Sequence, residues 1–380
     1  MRRTVFFAVG AALCAAPLVL STPLQAAQAQ TKAAPKAAAK AGAYRAPRNA
    51  FGQPDLGVYW TNATMTPESR QASFGTRSTY TREEIAKLVG ELETEITVGN
   101  APTDPNAPPP SKGGAPLDAG LRPQFAGAGA GVGGYNRGWL DPGSSVMYVH
   151  GEPRTSLLTT PDGRPPARKA SAAAAPGRGG GGAGAGGRGG VTPASTGSTP
   201  ANPEDRPLGE RCIISFGRNG GPPMLPNGFY NNNYHIVQSR DAVAIDVEMV
   251  HDTRIVRLNA KHRTDGVRPW FGDSIGHFEG ETLVVETTNI PQAQAYNGSW
   301  ENLTVTEKFT RVGKDRLFYQ YTINDPTIWD AAWGGEYEFG ALGPGQRVEE
   351  YACHEGNYAM EDMLAGARAE EAAARSRAAR

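Results

Sequence analysis

From residue 208 to residue 368 the chain reads as short β-rich runs broken by turn signals, and that pattern constrains the fold more than any other feature. Tyr234–Ser239, Ala242–Leu258, Thr282–Asn289, Leu303–Val312 and Arg316–Asn324 are rich in Val, Ile, Thr, Tyr and Phe, while Gly280-Glu281 and Gly313-Lys314-Asp315 suit tight hairpin turns. No helical periodicity separates these runs, so the strands follow one another as an antiparallel meander and not as βαβ units. Such a sheet leaves unpaired edges unless it is closed or covered. The expected fold is therefore mainly β, a meander closing into a small barrel or half-barrel, with a few peripheral helices and long disordered linkers.

Composition sets the boundaries of that block. The 48 Gly and 30 Pro of the 380 residues are concentrated in a few tracts; between Gly177 and Gly190, 10 of 14 residues are Gly. A stretch so poor in apolar side chains cannot bury enough surface to offset its ordering entropy, so 161–207 reads as a disordered Gly/Pro-rich linker and 30–45 as a second, Lys/Ala/Pro-rich one. Residues 46–160 read as an N-terminal segment packing on the barrel. In it Thr81 and Glu84 form a capping box, and Ile85, Leu88, Val89 and Leu92 recur at helical spacing, predicting one amphipathic helix over 82–96. Residues 208–368 are the barrel domain. A C-terminal helix follows Asn357 with Met360, Met363, Leu364 and Ala367 as its stripe, and 369–380 reads as a frayed tail. Lys plus Arg (38) balance Asp plus Glu (38), which argues against a nucleic-acid partner despite the Arg-Gly-Gly groups in the linker.

Residues 1–29 have the form of a secretory signal peptide. Arg2 and Arg3 precede an apolar run from Thr4 to Leu20, and Ala27-Gln28-Ala29 offers a cleavage pattern near Ala29. The expected location is periplasmic or secreted, with no membrane span once the signal is removed. Two cysteines then remain, Cys212 and Cys353, and in an oxidising compartment two thiols most simply form one disulfide.

Several long motifs occur in order: PDLGVYW (54–60), RTSLLTTPDGRPP (154–166), LGERC (208–212), GPPMLPNGFYNNNY (221–234), EMVHDTR (248–254), WFGDSIGHFEGETLVVETTN (270–289) and YACHEGNY (351–358). Together they resemble an uncharacterised family of exported bacterial proteins, frequent in soil bacteria, over roughly 46–368. The Gly-rich tract departs from that pattern as an insertion, and the resemblance brings no catalytic residues with it. PDLGVYW is also faintly similar to the Gly-x-Trp opening of lipocalin-like barrels, here spaced Gly57-x-x-Trp60.

The candidate chemistry gathers in three places. On an unbroken strand over 242–258, Asp246, Glu248, Asp252 and Arg254 share one face, and Val243, Ile245, Val247, Met249 and His251 the other. A barrel can aim the polar face inward, where Arg254 and Asp252 would bind ligand and Glu248 act as a base, or outward as a solvated surface. His251 is a core histidine or a catalytic one. The eight residues Tyr351–Tyr358 hold Cys353, His354 and Glu355, making His354 a second catalytic candidate or a bystander at a disulfide anchor. Tyr230, Asn232 and Tyr234 form a polar-aromatic loop suited to sugars or small aromatics, and equally to a turn. Gly272-Asp273-Ser274-Ile275-Gly276 has the G-x-S-x-G form, but a strand and not a helix follows it. No metal or cofactor motif is present. Two functions remain open: an exported barrel binding a small sugar-like or apolar/aromatic ligand, or a periplasmic lyase or hydrolase using a His/Glu/Arg/Tyr site on the same barrel.

Overall fold

A computed structural model describes residues 44–99, 141, 143–173, 201–206, 208–215, 218–227 and 230–378. The stretch 1–29 read as a signal peptide, nearly all of 30–45 read as a linker, and the Gly-rich tract lie outside them.

Among the described residues nine strands close into a barrel. They are β1 (Tyr59–Thr61), β4 (Asn233–Gln238), β5 (Ala242–Val247), β6 (Thr253–Leu258), β7 (Asp273–Glu279), β8 (Thr282–Thr288), β9 (Thr304–Arg311), β10 (Arg316–Asn324) and β11 (Trp333–Ala341). A separate two-stranded hairpin, β2 (Tyr148–Val149) and β3 (Glu152–Pro153), packs against β11, with Val149 in the barrel core. Burial alternates strictly along β5, and Leu317, Tyr319, Tyr321 and Ile323 of β10 all turn inward. Closure comes from the N-terminal segment: Trp60 pairs with Ala341 of β11 on one side and Tyr234 of β4 on the other. This end of the barrel is plugged. Trp60 is fully buried and donates its indole N–H to the Leu56 carbonyl at 2.9 Å, while the Arg311 guanidinium lies 5.7 Å from its ring.

The meander departs from simple succession in two places. β6 and β7 pair in parallel, with Val256 opposite Ser274. Residues 259–272 carry the chain back along the wall; their Lys, Arg, Gly and Pro content offers no apolar alternation from which a strand could form. The second departure corrects the reading of 242–258 as one strand. Val247 ends β5, and a short turn through Glu248–Asp252, with left-handed Val250 (φ 61°) and His251 (φ 45°), sends the chain back as β6. The turn resets the parity. Val243, Ile245 and Val247 face inward from β5, then Arg254, Val256 and Leu258 from β6. Asp246 is left outside, accepting a hydrogen bond from Thr253 at 2.7 Å.

Helix α1 (Arg82–Gly99) starts with the predicted reciprocal cap. Thr81 N–H donates to Glu84 at 2.8 Å and Glu84 N–H to the Thr81 hydroxyl at 3.2 Å. The Arg77 guanidinium beside Glu84 and the Thr81 N–H hold that carboxyl down at about 2. Ile85, Leu88 and Leu92 pack with Met65, Tyr80 and Val146 in a second, smaller core. A four-residue helix α2 (Ala170–Ala173) sits in chain that composition assigns to the linker. Residues 161–173 are packed: Lys169 N–H donates to the Ile328 carbonyl at 2.8 Å, and Gly163 lies against Arg70. Many of these contacts run from long cationic side chains to backbone carbonyls, Arg164 to Arg70 and Lys169 to Pro326 among them, and apolar composition does not register them. Helix α3 (Ala359–Ala378) continues through the stretch read as frayed tail; Ala, Glu and Arg are strong helix formers, and Arg375 pairs with Glu371 one turn away. Asn357 donates its side-chain amide to the Glu210 carbonyl at 2.9 Å.

At the upper part of β11, beyond the end of β1, residues 157–159 take over the edge, with Thr159 N–H on the Gly334 carbonyl and Glu336 N–H on the Leu157 carbonyl. This approach requires glycine. A Cβ on Gly335 would sit 2.5 Å from the Leu157 carbonyl oxygen, which as backbone cannot swing away. Gly335→Ala should lower stability by about 1–3 kcal/mol in urea denaturation, whereas Gly340→Ala, with nothing within 4 Å, should leave it unchanged. Equal effects would mean that the edge contact is not tight.

Candidate functional site

The barrel interior is not uniformly apolar. Arg254 is buried on β6 and makes a bidentate ion pair with Glu307 of β9, which is fully buried. Its partner is thus Glu307, not Glu248 or Asp252, because the β5–β6 turn swings those two away. Tyr319 donates its hydroxyl to Glu307 at 2.8 Å and accepts the Met224 N–H at 2.9 Å. Burial works against the Arg254 charge, but the Glu307 carboxylate outweighs it and holds the guanidinium above its ordinary pKa. Burial and the same carboxylate push the Tyr319 phenol well up.

The polar-aromatic loop lies beside this pair as a closed network. Asn232 accepts from Asn219 Nδ2 at 3.0 Å and from Asn227 N–H at 2.9 Å; Tyr234 Oη accepts from Asn62 at 3.0 Å. Asn232 and Tyr234 are both buried, so they hold the loop in place. Tyr230 is half-buried and stacks on Tyr351, ring centroids 6.3 Å apart.

The remaining candidates scatter. Glu248 is buried and accepts from Asn233 Nδ2 at 2.6 Å and Glu349 N–H at 3.1 Å. His251 and His354 are exposed. Among the described residues neither histidine side chain is hydrogen-bonded or ion-paired to Glu248. Cys212 and Cys353 form a disulfide. Ser274 faces the interior and shares a hydrogen bond with Thr287 at 2.8 Å, while Asp273 beside it binds Arg257, His262 and the Arg263 N–H. In this G-x-S-x-G string the serine belongs to a strand wall and not to a nucleophile turn.

A further cluster occupies the end of the barrel opposite Trp60, where the chain before β4, the β8–β9 connection and residues 62–70 converge. Tyr296 donates its hydroxyl to Glu68, and Trp333 stacks on the Tyr296 ring at 5.7 Å, with Trp329 edge-on to Trp333 at 5.3 Å. The Arg218 guanidinium stands 4.9 Å from the Tyr296 ring centroid. Burial raises the Glu68 pKa, with the Tyr296 hydrogen bond and the Arg218 charge opposing it. Tyr321, whose phenol burial also pushes well up, sits within the field of Glu68 and Arg218. A groove of about 380 Å3 runs over β10 and β11 beside Thr159; Gln320, Thr322 and Glu336, which face away from the interior, line it with Tyr321 and Trp333. Five buried N–H donors in this region find no acceptor among the described residues, Arg218 Nε, Arg254 Nε, Gln294 Nε2, Trp329 Nε1 and Trp333 Nε1, and the Tyr321 hydroxyl is left without a partner as well.

No family model, curated protein or solved structure matches this chain. The site therefore has to be read from its own chemistry.

The sequence reading missed this cluster because its members come from separate segments. The readable signals were a carboxylate on the apolar parity of a strand, Val305-x-Glu307-x-Phe309, and tyrosines at alternate positions of FYQYTIN (318–324).

Asp252 adds a pH dependence. Buried beside the Ser215 N–H, which it accepts at 3.4 Å, its carboxyl is pushed up to about 7 by desolvation. The folded chain then binds a proton between pH 4 and 7 that the unfolded chain has released, so stability falls as pH rises through this window. The loss should approach about 4 kcal/mol, and Asp252→Asn should flatten the curve, as read by urea denaturation at pH 4.5 and 7.5. An unchanged slope in the variant would assign the dependence to other groups.

Proposed function

We propose that this is an exported protein whose barrel binds a small ring-bearing ligand, sugar-like or aromatic, at the end lined by Arg218, Tyr296, Tyr321 and Trp333. The observation that carries this reading is the set of five buried donors without acceptors, since a buried donor left unpaired costs about 1–3 kcal/mol. Native interiors hold few such groups, and here they share one region with aromatic rings. Aromatic faces supply stacking, and the donors supply orientation.

Export is supported by the signal-like start and by the disulfide, which persists in oxidising compartments. No helix among the described residues is long and apolar enough to cross a membrane. Mature protein recovered from the periplasm or medium should begin at Gln30 by N-terminal sequencing; a retained apolar run would overturn export by cleavage. Thermal-shift screening against monosaccharides and single-ring aromatics should find compounds that raise Tm. Tyr296→Phe and Trp333→Phe should weaken those shifts with the fold intact. Compounds that bind both variants normally would place the site elsewhere.

A further inference from the structure

His262 stands between two carboxylates on the outer wall of the barrel. Its Nδ1 lies 3.0 Å from Asp273 Oδ2 and its Nε2 3.1 Å from Glu286 Oε1, with the Thr288 hydroxyl 3.3 Å from Nδ1. Asp273 opens β7 opposite Thr288 of β8, and Glu286 lies two residues earlier on β8, so the ring bridges two strands. A neutral imidazole has one N–H and one lone pair; only the imidazolium donates to both carboxylates. The surrounding charges leave that requirement in place. Burial works against the Asp273 charge, but the Arg263 N–H, Arg257 of β6 and His262 hold its carboxyl below the ordinary range. Arg263 pairs with Asp265 on the 259–272 segment itself, Lys261 is exposed, and β9 offers only Thr306 opposite Glu286.

What the ring secures is the 259–272 crossover, and that segment braces two walls of the mouth described above. Arg268 donates to the carbonyls of Ile290 at 2.9 Å and Glu301 at 3.2 Å, and its guanidinium lies 5.1 Å from the Trp300 ring centroid. It thus grips both ends of the β8–β9 connection, which carries Gln294 and Tyr296. Phe271 lies against Gly220, two residues from Arg218; a Cβ on that glycine would come within 2.7 Å of the phenyl ring.

We propose that His262 is a proton-operated clamp on this mouth. As imidazolium it ties the crossover to Asp273 and Glu286 together. On losing its proton it releases one carboxylate, and the brace on the β8–β9 connection and on the Arg218 segment slackens. The brace is therefore tight at low pH and loosens as pH rises through the range, about 5 to 8, in which imidazoles change charge. The functional consequence rests on the reading of the mouth as a binding site; the clamp itself does not.

The test is NMR hydrogen exchange on the full mature protein with no compound added. The Arg263, Gln294 and Tyr296 amides are bonded to Asp273, to the Pro291 carbonyl and to the Ser299 carbonyl. After correction for intrinsic rates, their protection should fall about threefold or more from about pH 5.5 to about pH 8, roughly what one half-exposed ion pair is worth. The fall should track the titration of the His262 ring followed by its 15N shifts. His262→Gln should abolish the response, and Glu286→Gln should shrink it; the second variant decides if the first does not fold. The Asp252 dependence is common to all these proteins and cancels in the comparison. A pH response that persists in His262→Gln, or that does not follow the ring titration, overturns the clamp. A response at Arg263 without one at Gln294 and Tyr296 overturns its reach to the mouth. Failure of every compound in the thermal-shift screen would sink the binding reading and leave these exchange results standing.

Discussion

Glu307→Gln should destabilise the barrel by about 3–5 kcal/mol, because it strands the Arg254 charge in a dry interior. Arg254 is 2% exposed and Glu307 is fully buried, so neither has water to fall back on. The amide keeps the shape and one acceptor for Tyr319, which isolates the loss of charge from the loss of packing. Arg254→Met should cost a similar amount by leaving the carboxylate alone. The double replacement Arg254→Met/Glu307→Leu should recover most of the loss, since a buried ion pair exchanged for well-packed apolar groups is often neutral or stabilising. Urea midpoints of the four proteins read these effects, and Glu307→Leu alone closes the double-mutant cycle. If the single variants lose less than about 1 kcal/mol, the pair is in contact with water, as exposed pairs are worth no more than that. A consequence follows for function. Loss of binding in an Arg254 variant would report a damaged barrel, whereas Arg218, which pairs with no carboxylate, is where charge can be removed at less structural cost.

The strand block was legible because alternation is a local property. In β5 and β10 apolar or aromatic residues recur at every second position, and the core is made of those residues. Helix α1 was legible for the same reason, its cap and stripe all lying within the twelve residues 81–92. The turn at Glu248–Asp252 was hidden because Val250 and His251 are not turn formers; a β-branched residue at φ 61° is strained and held there by its surroundings. Once that turn went unseen, the parity of everything after it was inverted, and Arg254 was matched with the wrong carboxylates. Burial of Arg254 nonetheless follows from its own neighbours, since Val256 and Leu258 share its parity. The mouth could not be read at all: Glu68, Arg218, Tyr296 and Trp333 span more than 260 residues, and only the closed topology brings them together.

Opening the Cys212–Cys353 disulfide should produce the other large effect. The bond joins residues 141 apart in sequence. On the chain-entropy description, closing a loop of that length in the unfolded state is worth about 5 kcal/mol, less any native strain. The bridge also ties two structures that have little else in common. On one side is the 208–215 segment, whose Ser215 N–H meets Asp252. On the other is the strap after β11, which reaches the β5–β6 turn through Glu349 N–H on Glu248 and continues into α3. Most of this strap is exposed, with Leu364 and Ala367 the buried residues of α3, so its own contacts hold it weakly. The barrel ladder does not pass through the bridge, and the nine strands should survive its loss. Reduction, or Cys353→Ser, is therefore expected to lower the urea midpoint by the equivalent of several kcal/mol without changing the strand signal in far-UV circular dichroism at zero denaturant. Limited proteolysis should then cut between β11 and α3 in the reduced protein and spare the oxidised one. Thiol titration of denatured, unreduced protein should find none. A midpoint indifferent to reductant, with the bond confirmed intact beforehand, would mean that the unfolded chain gains no freedom when released and that the loop-entropy account does not apply to it.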